Sequence, residues 1–323
     1  MNVLSLCDGM SCGRIAFEKV GISINHYYAS EIKPIAIKAT QHNFPDTIQI
    51  GDVNEVSYSD GVLHTPNGDY ETDIDIVIFG SPCQSFSRAM KADKRIGLAD
   101  KIRSGLFLEC YRVLKEVNPK FFLVENVIMK QSDSDIISNM LGVQPVRINS
   151  SLVSAQMRDR LYWTNIPGIL PLQDKYISLN DILLDGYSPK EKAHCLCAND
   201  SHGYYNGCNW NRATRFHRWW YKSFGNLVFN RKEDFEKALL TAEKIRNDRP
   251  SKAEYYSDYI GDAFNNMRYL HKEERAMLQT VPCKYVECMT EKEAADLLGD
   301  GWTVDVIAHI FKGLTEQQIK DKE

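Results

Sequence analysis

Short apolar runs alternate with amphipathic stretches over the first half of the chain. The runs at 3–7, 26–30, 74–80 and 121–124 have the length and character of buried strands, and a short strand precedes Gly51. The stretches at about 14–20, 34–43 and 105–117 predict helices, and Pro34 suits a first helical turn. Further strands are expected at 143–149 and 161–164. Strands that alternate with helices predict an α/β fold with a doubly wound, mostly parallel sheet.

The pattern changes after residue 165, where periodicity weakens and aromatic residues become frequent. Helical patterns return from about residue 266, at 272–278, 291–298 and 304–311. We therefore predict one domain from 1–165 together with 267–323, to which the C-terminal helix returns. The segment 166–266 is expected to form a smaller, irregular lobe.

Composition narrows the class of protein. The chain has 323 residues, 43% of them hydrophobic, which is enough for a substantial core. A net charge of -4 allows a nucleic-acid partner only if basic residues gather on one face. The sequence shows no run long enough to span a bilayer and no signal-peptide pattern, so we expect a cytoplasmic protein with no membrane partner. Nine scattered cysteines then indicate reduced thiols.

Two strand ends carry chemistry. Cys83 follows the run 74–80 in Ser81-Pro82-Cys83-Gln84, and Glu125 ends the run that begins at 121. Ligands bind at the carboxyl edge of such sheets, so the pair suggests a nucleophile beside a group that protonates or hydrogen-bonds its target. The alternatives are an inert buried thiol and a solvated carboxylate. Pro82 and the polar stretch 85–104, a candidate mobile lid, favour exposure of the thiol.

The turn from Gly9 to Gly13 can wrap a nucleotide-like ligand, with Glu31 placed to hold ribose hydroxyls. An ordinary tight turn and a solvated Glu31 explain the same residues, and both interpretations stay open. The glycine spacing does not match the dinucleotide fingerprint, which disfavours a nicotinamide or flavin enzyme.

Basic residues mark two further segments. Arg158 and Arg160 share one face of an extended segment and suit phosphate binding or the fixing of Glu125, unless they form surface salt bridges with Asp159. The segment 201–232 mixes aromatic and basic residues without Asp or Glu, which favours nucleic-acid binding over a purely structural aromatic core. We predict no metal site, because the spacing is wrong for zinc among His194, Cys195, Cys197, His202 and Cys208.

Taken in order, these motifs resemble the C5-cytosine-specific DNA methyltransferase family of bacterial and phage type, over nearly the whole chain. The segment 8–13 resembles the methyl-donor loop, Glu31 the ribose acid and Asp52-Val53 the adenine contact. Ser81-Pro82-Cys83-Gln84 resembles the nucleophile motif. Glu125-Asn126-Val127 and Gln156-x-Arg158-x-Arg160 are similar to the cytosine-binding motifs. Residues 268–279 resemble the motif after the target-recognition region, and 299–304 the last motif, which returns to the donor pocket.

The resemblance implies a Rossmann-like fold that methylates C5 of a flipped-out cytosine in duplex DNA, through a covalent bond from Cys83 to C6. The methyl donor would be S-adenosylmethionine and the product S-adenosylhomocysteine. The segment 166–266 would recognise the target. The implied catalytic residues are Cys83, Glu125, Arg158 and Arg160. The implied donor-site residues are Cys7, Asp8, Gly9, Met10, Ser11, Cys12, Gly13, Glu31, Ile32, Asp52, Val53, Ser81, Pro82, Leu106, Asp300, Trp302, Thr303 and Val304. The implied DNA-binding residues are Gln84, Ser85, Ser87, Arg88, Arg212, Arg215, Arg218 and Lys222.

The resemblance also sets the expected partners and the rival functions. We expect a monomer in a bacterium or a phage-infected cell, with a cognate restriction endonuclease as one partner that the family allows. An RNA methyltransferase directed at tRNA is the main alternative, and the long recognition region favours DNA. A non-catalytic nucleic-acid-binding relative is disfavoured by the presence of Cys83 and Glu125.

Two residues depart from the family in the donor pocket. Cys7 stands where the family usually has Phe, and Asp300 where Asn is usual. We expect these two to weaken or alter donor binding. Ser81 in place of the commoner Pro has relatives within the family.

Overall fold

A computed structural model describes residues 1–82, 105–198, 209–248 and 261–320 of the chain, with side chains left out at 209–211 and 316–320. Contacts within the chain divide it into two compact units. The first unit comprises 1–149, 159–172 and 302–323, and the second comprises 150–158 and 173–301.

The first unit is built on a seven-stranded sheet of the described residues. Its strands, in spatial order, are β3 (Ile48–Gln49), β2 (His26–Ser30), β1 (Asn2–Leu6), β7 (Ile76–Phe79), β8 (Phe121–Val127), β10 (Asp159–Thr164) and β9 (Val146–Asn149). Its helices are α1 (Cys12–Lys19), α2 (Pro34–Asn43), α3 (Gly105–Val117), α4 (Gln131–Leu141) and α9 (Val304–Lys320). A separate antiparallel sheet joins β4 (Ser57–Ser59), β5 (Val62–Thr65) and β6 (Gly68–Glu71).

The main sheet is mostly parallel, which confirms the predicted doubly wound α/β fold. Neighbours from β3 to β8 pair in parallel, and β10 runs antiparallel to both β8 and β9. The chain leaves β1 towards β2 and β3 on one side and later returns to β7 on the other side. The carboxyl ends of β1 and β7 therefore form a topological switch point, where open α/β sheets bind their ligands.

The core of the first unit follows from the apolar runs. Strand side chains such as Leu4, Val77 and Phe79 are fully buried against Phe107 of α3. Helix α9 packs on α1, where the rings of Phe17 and Phe311 stack at a centroid distance of 4.1 Å. The last helix of the described chain therefore packs on the first helix of the sheet unit.

The second unit contains α5 (Asn209–Lys222), β11 (Leu227–Phe229), α6 (Lys232–Asp248), β12 (Met267–Tyr269), α7 (Lys272–Leu278) and α8 (Glu291–Asp300). Strands β11 and β12 pair antiparallel. Its core is aromatic, since Phe216 and Trp219 are buried with Phe229, Phe235 and Phe264. Regular helices therefore occur in a region whose sequence shows little periodicity.

The observed units divide the chain at other places than the predicted boundaries at 165 and 267. Residues 267–301 belong with the second unit. The hydroxyl of Ser154 and the amide of Gln156 both donate to the carbonyl of Leu278 at the end of α7. These buried hydrogen bonds, together with the packing of α7 on α8, hold 150–158 and 267–301 in one unit.

Among the described residues, the helices are all too short or too polar to cross a membrane.

We predict that Gly313→Ala destabilises the first unit by about 1–3 kcal/mol. A Cβ at Gly313 would lie 2.0 Å from the carbonyl oxygen of Pro167, a backbone atom that cannot move aside cheaply. This clash should outweigh the gain of about 1 kcal/mol in helix propensity. Urea denaturation followed by circular dichroism measures the change, with the exposed neighbour Lys312→Ala as control. Equal stability of the two variants would contradict the proposed close approach.

Candidate active site

The loop after β1 exposes its main chain at the switch point. Cys7 and Ser11 adopt left-handed φ angles of 53° and 54°, and Gly9 has a φ of 60°. Left-handed residues other than glycine cost of order 1–3 kcal/mol each, so the loop is held by its surroundings. A Cβ at Gly9 would meet nothing within 4 Å, which means that this part of the loop faces open space.

Asp8 organises this loop through three hydroxyl groups. Its carboxylate accepts hydrogen bonds from Ser5 at 2.6 Å, from Tyr27 at 2.7 Å and from Ser11. Burial, aided by the charge of Glu31 and opposed by the three hydroxyl donors, raises the pKa of Asp8 to about 6.

Glu31 lies beside the loop at the end of β2. Its Oε2 accepts from the backbone N–H of Gly9 at 2.8 Å. Its Oε1 accepts from the N–H groups of Ile32 and Lys33 at 2.8 Å and 2.9 Å. The adjacent Ile32 side chain is 63% exposed, so an apolar surface stands next to the carboxylate.

Several predicted donor-site side chains belong to the core instead of an open pocket. Those with less than 5% exposure are Met10, Ser11, Cys12, Val53, Ser81, Thr303 and Val304. Leu106 packs against the same core, and Asp52 caps the short helix Val53–Glu55 by accepting from the N–H of Asn54. These side chains pack within the fold that carries the loop and the strand ends, and their predicted contact with a donor stays a prediction.

Cys7, the first departure from the family pattern, packs towards α3. Its Sγ lies 3.9 Å from the Sγ of Cys110. The contact with Cys7 and burial raise the pKa of Cys110 well above its usual value.

The ends of β7 and β8 are joined by an asparagine. Asn126 Nδ2 donates to the carbonyl and the hydroxyl of Ser81, both at 3.3 Å. The described chain reaches Pro82 and resumes at Gly105, so Cys83, Gln84, Ser85, Ser87, Arg88 and the predicted lid at 85–104 lie outside the described residues.

Glu125 is a buried carboxylate with a donor on each oxygen. Arg160 of β10 forms an ion pair with Oε1 at 3.0 Å, and the indole N–H of Trp302 donates to Oε2 at 3.0 Å. Of the alternatives for Arg160, the structure shows the contact that fixes Glu125. The hydrogen bond from Trp302 had no sequence signal, since 177 positions separate the two residues.

Residues 1–141 match the family model described as C-5 cytosine-specific DNA methylase. Over this stretch the chain is similar to the C-5 cytosine-specific DNA methylase family. That stretch contains the donor loop, Glu31, the Ser81-Pro82-Cys83-Gln84 motif and Glu125.

Known proteins agree with this assignment. The chain is 36% identical to the Type II methyltransferase M.NlaIV of Neisseria lactamica over 131 residues, which are 39% of this chain and only 28% of that protein. It is 26% identical to the Type II methyltransferase M1.ScrFI of Lactococcus lactis subsp. cremoris in an alignment that covers 100% of this chain and 80% of that protein. The solved structure of the Dnmt2 methyltransferase of S. pombe shares the fold at a TM-score of 0.65, with 16% identity and coverage of 98% and 99%.

The residues of the matched stretch fit a nucleoside-bearing methyl donor such as S-adenosylmethionine. The space beside Gly9 is open, and glycine has no side chain to fill it, so a ligand can approach the backbone there. Glu31 offers the carboxylate that ribose hydroxyls require, and exposed Ile32 offers an apolar contact for a base.

Arg158 and Asp300 lie in the second unit. The Arg158 guanidinium is buried and donates to the backbone carbonyls of Leu196, Gly299 and Gly301, the last at 2.7 Å. Arg158 thus satisfies carbonyls around the end of α8, where cations are favoured. Its predicted catalytic role, and that of Asp300 in donor binding, stay predictions.

The aromatic and basic residues of α5 have divided roles. Phe216 and Trp219 are core residues, as the structural alternative expects. Arg218 and Lys222 are exposed, and the Arg218 guanidinium lies 4.1 Å from the centre of the Phe224 ring. Arg212 donates to Asn265 at 2.6 Å, and Arg215 lies over the ring of Tyr269. His202 and Cys208 lie outside the described residues.

We predict that the contribution of Asp8 to stability falls as the pH rises from about 4 to about 6. The folded-state pKa of Asp8 is raised from 3.8 to about 6, so the native state binds a proton that the unfolded state releases in this range. Its contribution is complete below the ordinary pKa and is lost above the raised one.

The measurement compares wild type with Asp8→Asn by urea denaturation at pH 4 and pH 7, with the exposed Asp60→Asn as control. The stability advantage of wild type over Asp8→Asn should be smaller at pH 7. A constant or growing advantage would contradict the assigned burial.

Proposed function

We propose that the protein is a DNA cytosine-5 methyltransferase that uses S-adenosylmethionine. The observation that carries the proposal is the buried Glu125 carboxylate, held by Arg160 and Trp302 at the carboxyl edge of the sheet. Strand β7 leads to Ser81 and Pro82 at the same edge, and the predicted donor loop follows the adjacent β1. Cys83 comes next in the sequence, and a carboxyl group, a thiol and a nucleoside site are the parts that this reaction needs.

The chemistry explains why a thiol and a carboxyl group are paired. Carbon C5 of cytosine is a weak nucleophile. Addition of the Cys83 thiolate to C6 breaks the C5–C6 double bond and makes C5 electron-rich. Glu125, hydrogen-bonded at N3, withdraws charge from the ring and assists the addition. After C5 accepts the methyl group, its proton leaves to water and the Cys83–C6 bond breaks to release the thiolate.

Bound S-adenosylmethionine supplies the electrophilic methyl group. On the protein side, the backbone at Gly9 would approach the donor, Glu31 would accept hydrogen bonds from its ribose and Ile32 would contact its base. Asp8 holds the loop in the shape that makes this approach possible.

The target cytosine must leave the helix to reach Cys83, at a cost of a few kcal/mol for unstacking and unpairing. We assign recognition of the DNA to the second unit, where Arg218 and Lys222 are exposed. Phosphate contacts from such side chains position a duplex without specifying its sequence. The restriction endonuclease partner and the monomeric state stay predictions.

Duplex DNA is proposed over RNA because M.NlaIV and M1.ScrFI are both named as Type II methyltransferases. We expect that labelled S-adenosylmethionine transfers label to mixed-sequence duplex DNA, and that nucleoside mass spectrometry finds 5-methylcytosine. A parallel incubation with total tRNA serves as the comparison. Label in tRNA alone would replace DNA with RNA as the substrate, and label at N4 of cytosine would refute the C5 chemistry.

Removing the nucleophile should separate catalysis from binding. We predict that Cys83→Ala abolishes turnover yet binds duplex DNA within a few-fold of wild type, because the thiol acts only in the covalent step. Glu125→Gln should lower kcat by about 10²-fold or more, as loss of general acid–base assistance usually does.

The matched control is Cys288→Ala, a partly buried cysteine of the second unit that should leave kcat unchanged. Radiolabel transfer gives the rates and gel shifts give the affinities. Normal turnover by Cys83→Ala would show that the covalent mechanism is wrong.

A further inference from the structure

The Trp302 indole occupies the switch point of the sheet. A Cβ at Gly80, just after β7, would lie 2.7 Å from Nε1 of Trp302 and 3.1 Å from Oε2 of Glu125. A Cβ at Gly13, at the start of α1, would lie 3.5 Å from Cζ3 on the six-membered edge of the same indole. One ring therefore borders the donor loop at one edge and meets the catalytic carboxylate with its N–H at the other.

The hydrogen bond from Trp302 affects the orientation of the Glu125 carboxylate plane. The terminal torsion of a glutamate has a broad, roughly two-fold energy profile, so a single donor leaves the carboxylate plane poorly defined. Arg160 contacts Oε1 and Trp302 contacts Oε2, each at 3.0 Å. Donors on both oxygens fix the plane of the group. The absence of a side chain at Gly80 leaves room for the second donor.

The two sides of the indole have separable tasks. The hydrogen bond uses only Nε1, whereas the approach to Gly13 uses the carbon edge of the ring. An indole nitrogen is a donor only, so it can serve an acceptor such as Glu125 and cannot compete for its proton. A phenylalanine in this place keeps a ring near Gly13 and removes the donor.

We propose that Trp302 is a positioning residue that orients Glu125 for the target base through its indole N–H, in addition to any contact with the donor. The inference rests on the proposed function, because its effect on kcat is measured in the proposed methyl transfer. It assigns the orientation of the base-binding carboxyl to a residue next to the donor loop. Binding of the donor against this ring is then expected to favour the orientation of Glu125 that the cytosine requires.

The kinetic test is Trp302→Phe. We expect kcat on duplex DNA to fall about 10- to 100-fold, the range for a lost hydrogen bond to a charged group. The Kd for S-adenosylhomocysteine, measured by calorimetry without DNA, should change less than about threefold. Trp302→Ala should weaken donor binding as well. Wild-type kcat in Trp302→Phe, or a loss of donor affinity as large as the loss of kcat, would overturn the inference.

The midpoint of thermal unfolding shows whether Trp302→Phe is folded. A second variant tests the same contact even if Trp302→Phe misfolds. Gly80→Ala keeps both Trp302 and Glu125 and places a methyl group against both contacting atoms, Nε1 and Oε2. It should lower kcat in the same range. If a folded Gly80→Ala enzyme turns over at the wild-type rate, the contact does not orient Glu125.

An activity-independent readout tests the contact itself. In ¹⁵N-labelled protein, the indole N–H signal that disappears in Trp302→Phe identifies Trp302. Glu125→Ala should shift that signal, whereas Glu109→Ala, on the partly exposed side of α3, should leave it in place. An unmoved signal in Glu125→Ala overturns the inference. A moved signal in a protein that methylates no DNA would instead support the contact and refute the proposed function.

Discussion

A buried carboxylate needs hydrogen-bond donors, and the donors of Glu125 come from distant parts of the chain. Arg160 arrives on β10, which runs antiparallel to β8, and Trp302 arrives just before α9. The absence of a side chain at Gly80 leaves space for the contact between Trp302 and Glu125. The site therefore exists only once β7, β8, β10 and the start of α9 are in place, so its geometry depends on the assembled fold.

The same edge explains how the donor loop and the carboxylate share a residue. Strands β1 and β7 are neighbours at the point where the chain reverses its direction of travel across the sheet. Their carboxyl ends lie side by side, and α9 returns to pack on α1, the helix that follows the predicted donor loop. An aromatic residue at the start of α9 is thus within reach of both. The sheet topology therefore places Trp302 at this edge, and its indole N–H makes it a hydrogen-bond donor to Glu125.

The sequence predicts the sheet domain well because buried parallel strands are continuous apolar runs bounded by turns. It misses β4 to β6, whose short strands are half exposed, and the helices α5 and α6, whose buried faces are mixed with basic and aromatic residues. Glu125 and the loop at Gly9 are visible as local motifs. The hydrogen bond from Trp302 is a long-range contact that leaves no local pattern, so sequence spacing cannot predict it.

Arg158 and Arg160 show the limit of reasoning from spacing alone. Alternate residues share a face only within a strand, and β10 begins at Asp159, between the two arginines. Arg160 pairs with Glu125, whereas Arg158 is buried among carbonyls that include those of Gly299 and Gly301. Gly301 directly precedes Trp302 in the chain. Arg158 therefore binds the backbone carbonyl of the residue before Trp302, whereas Arg160 contacts Glu125 directly.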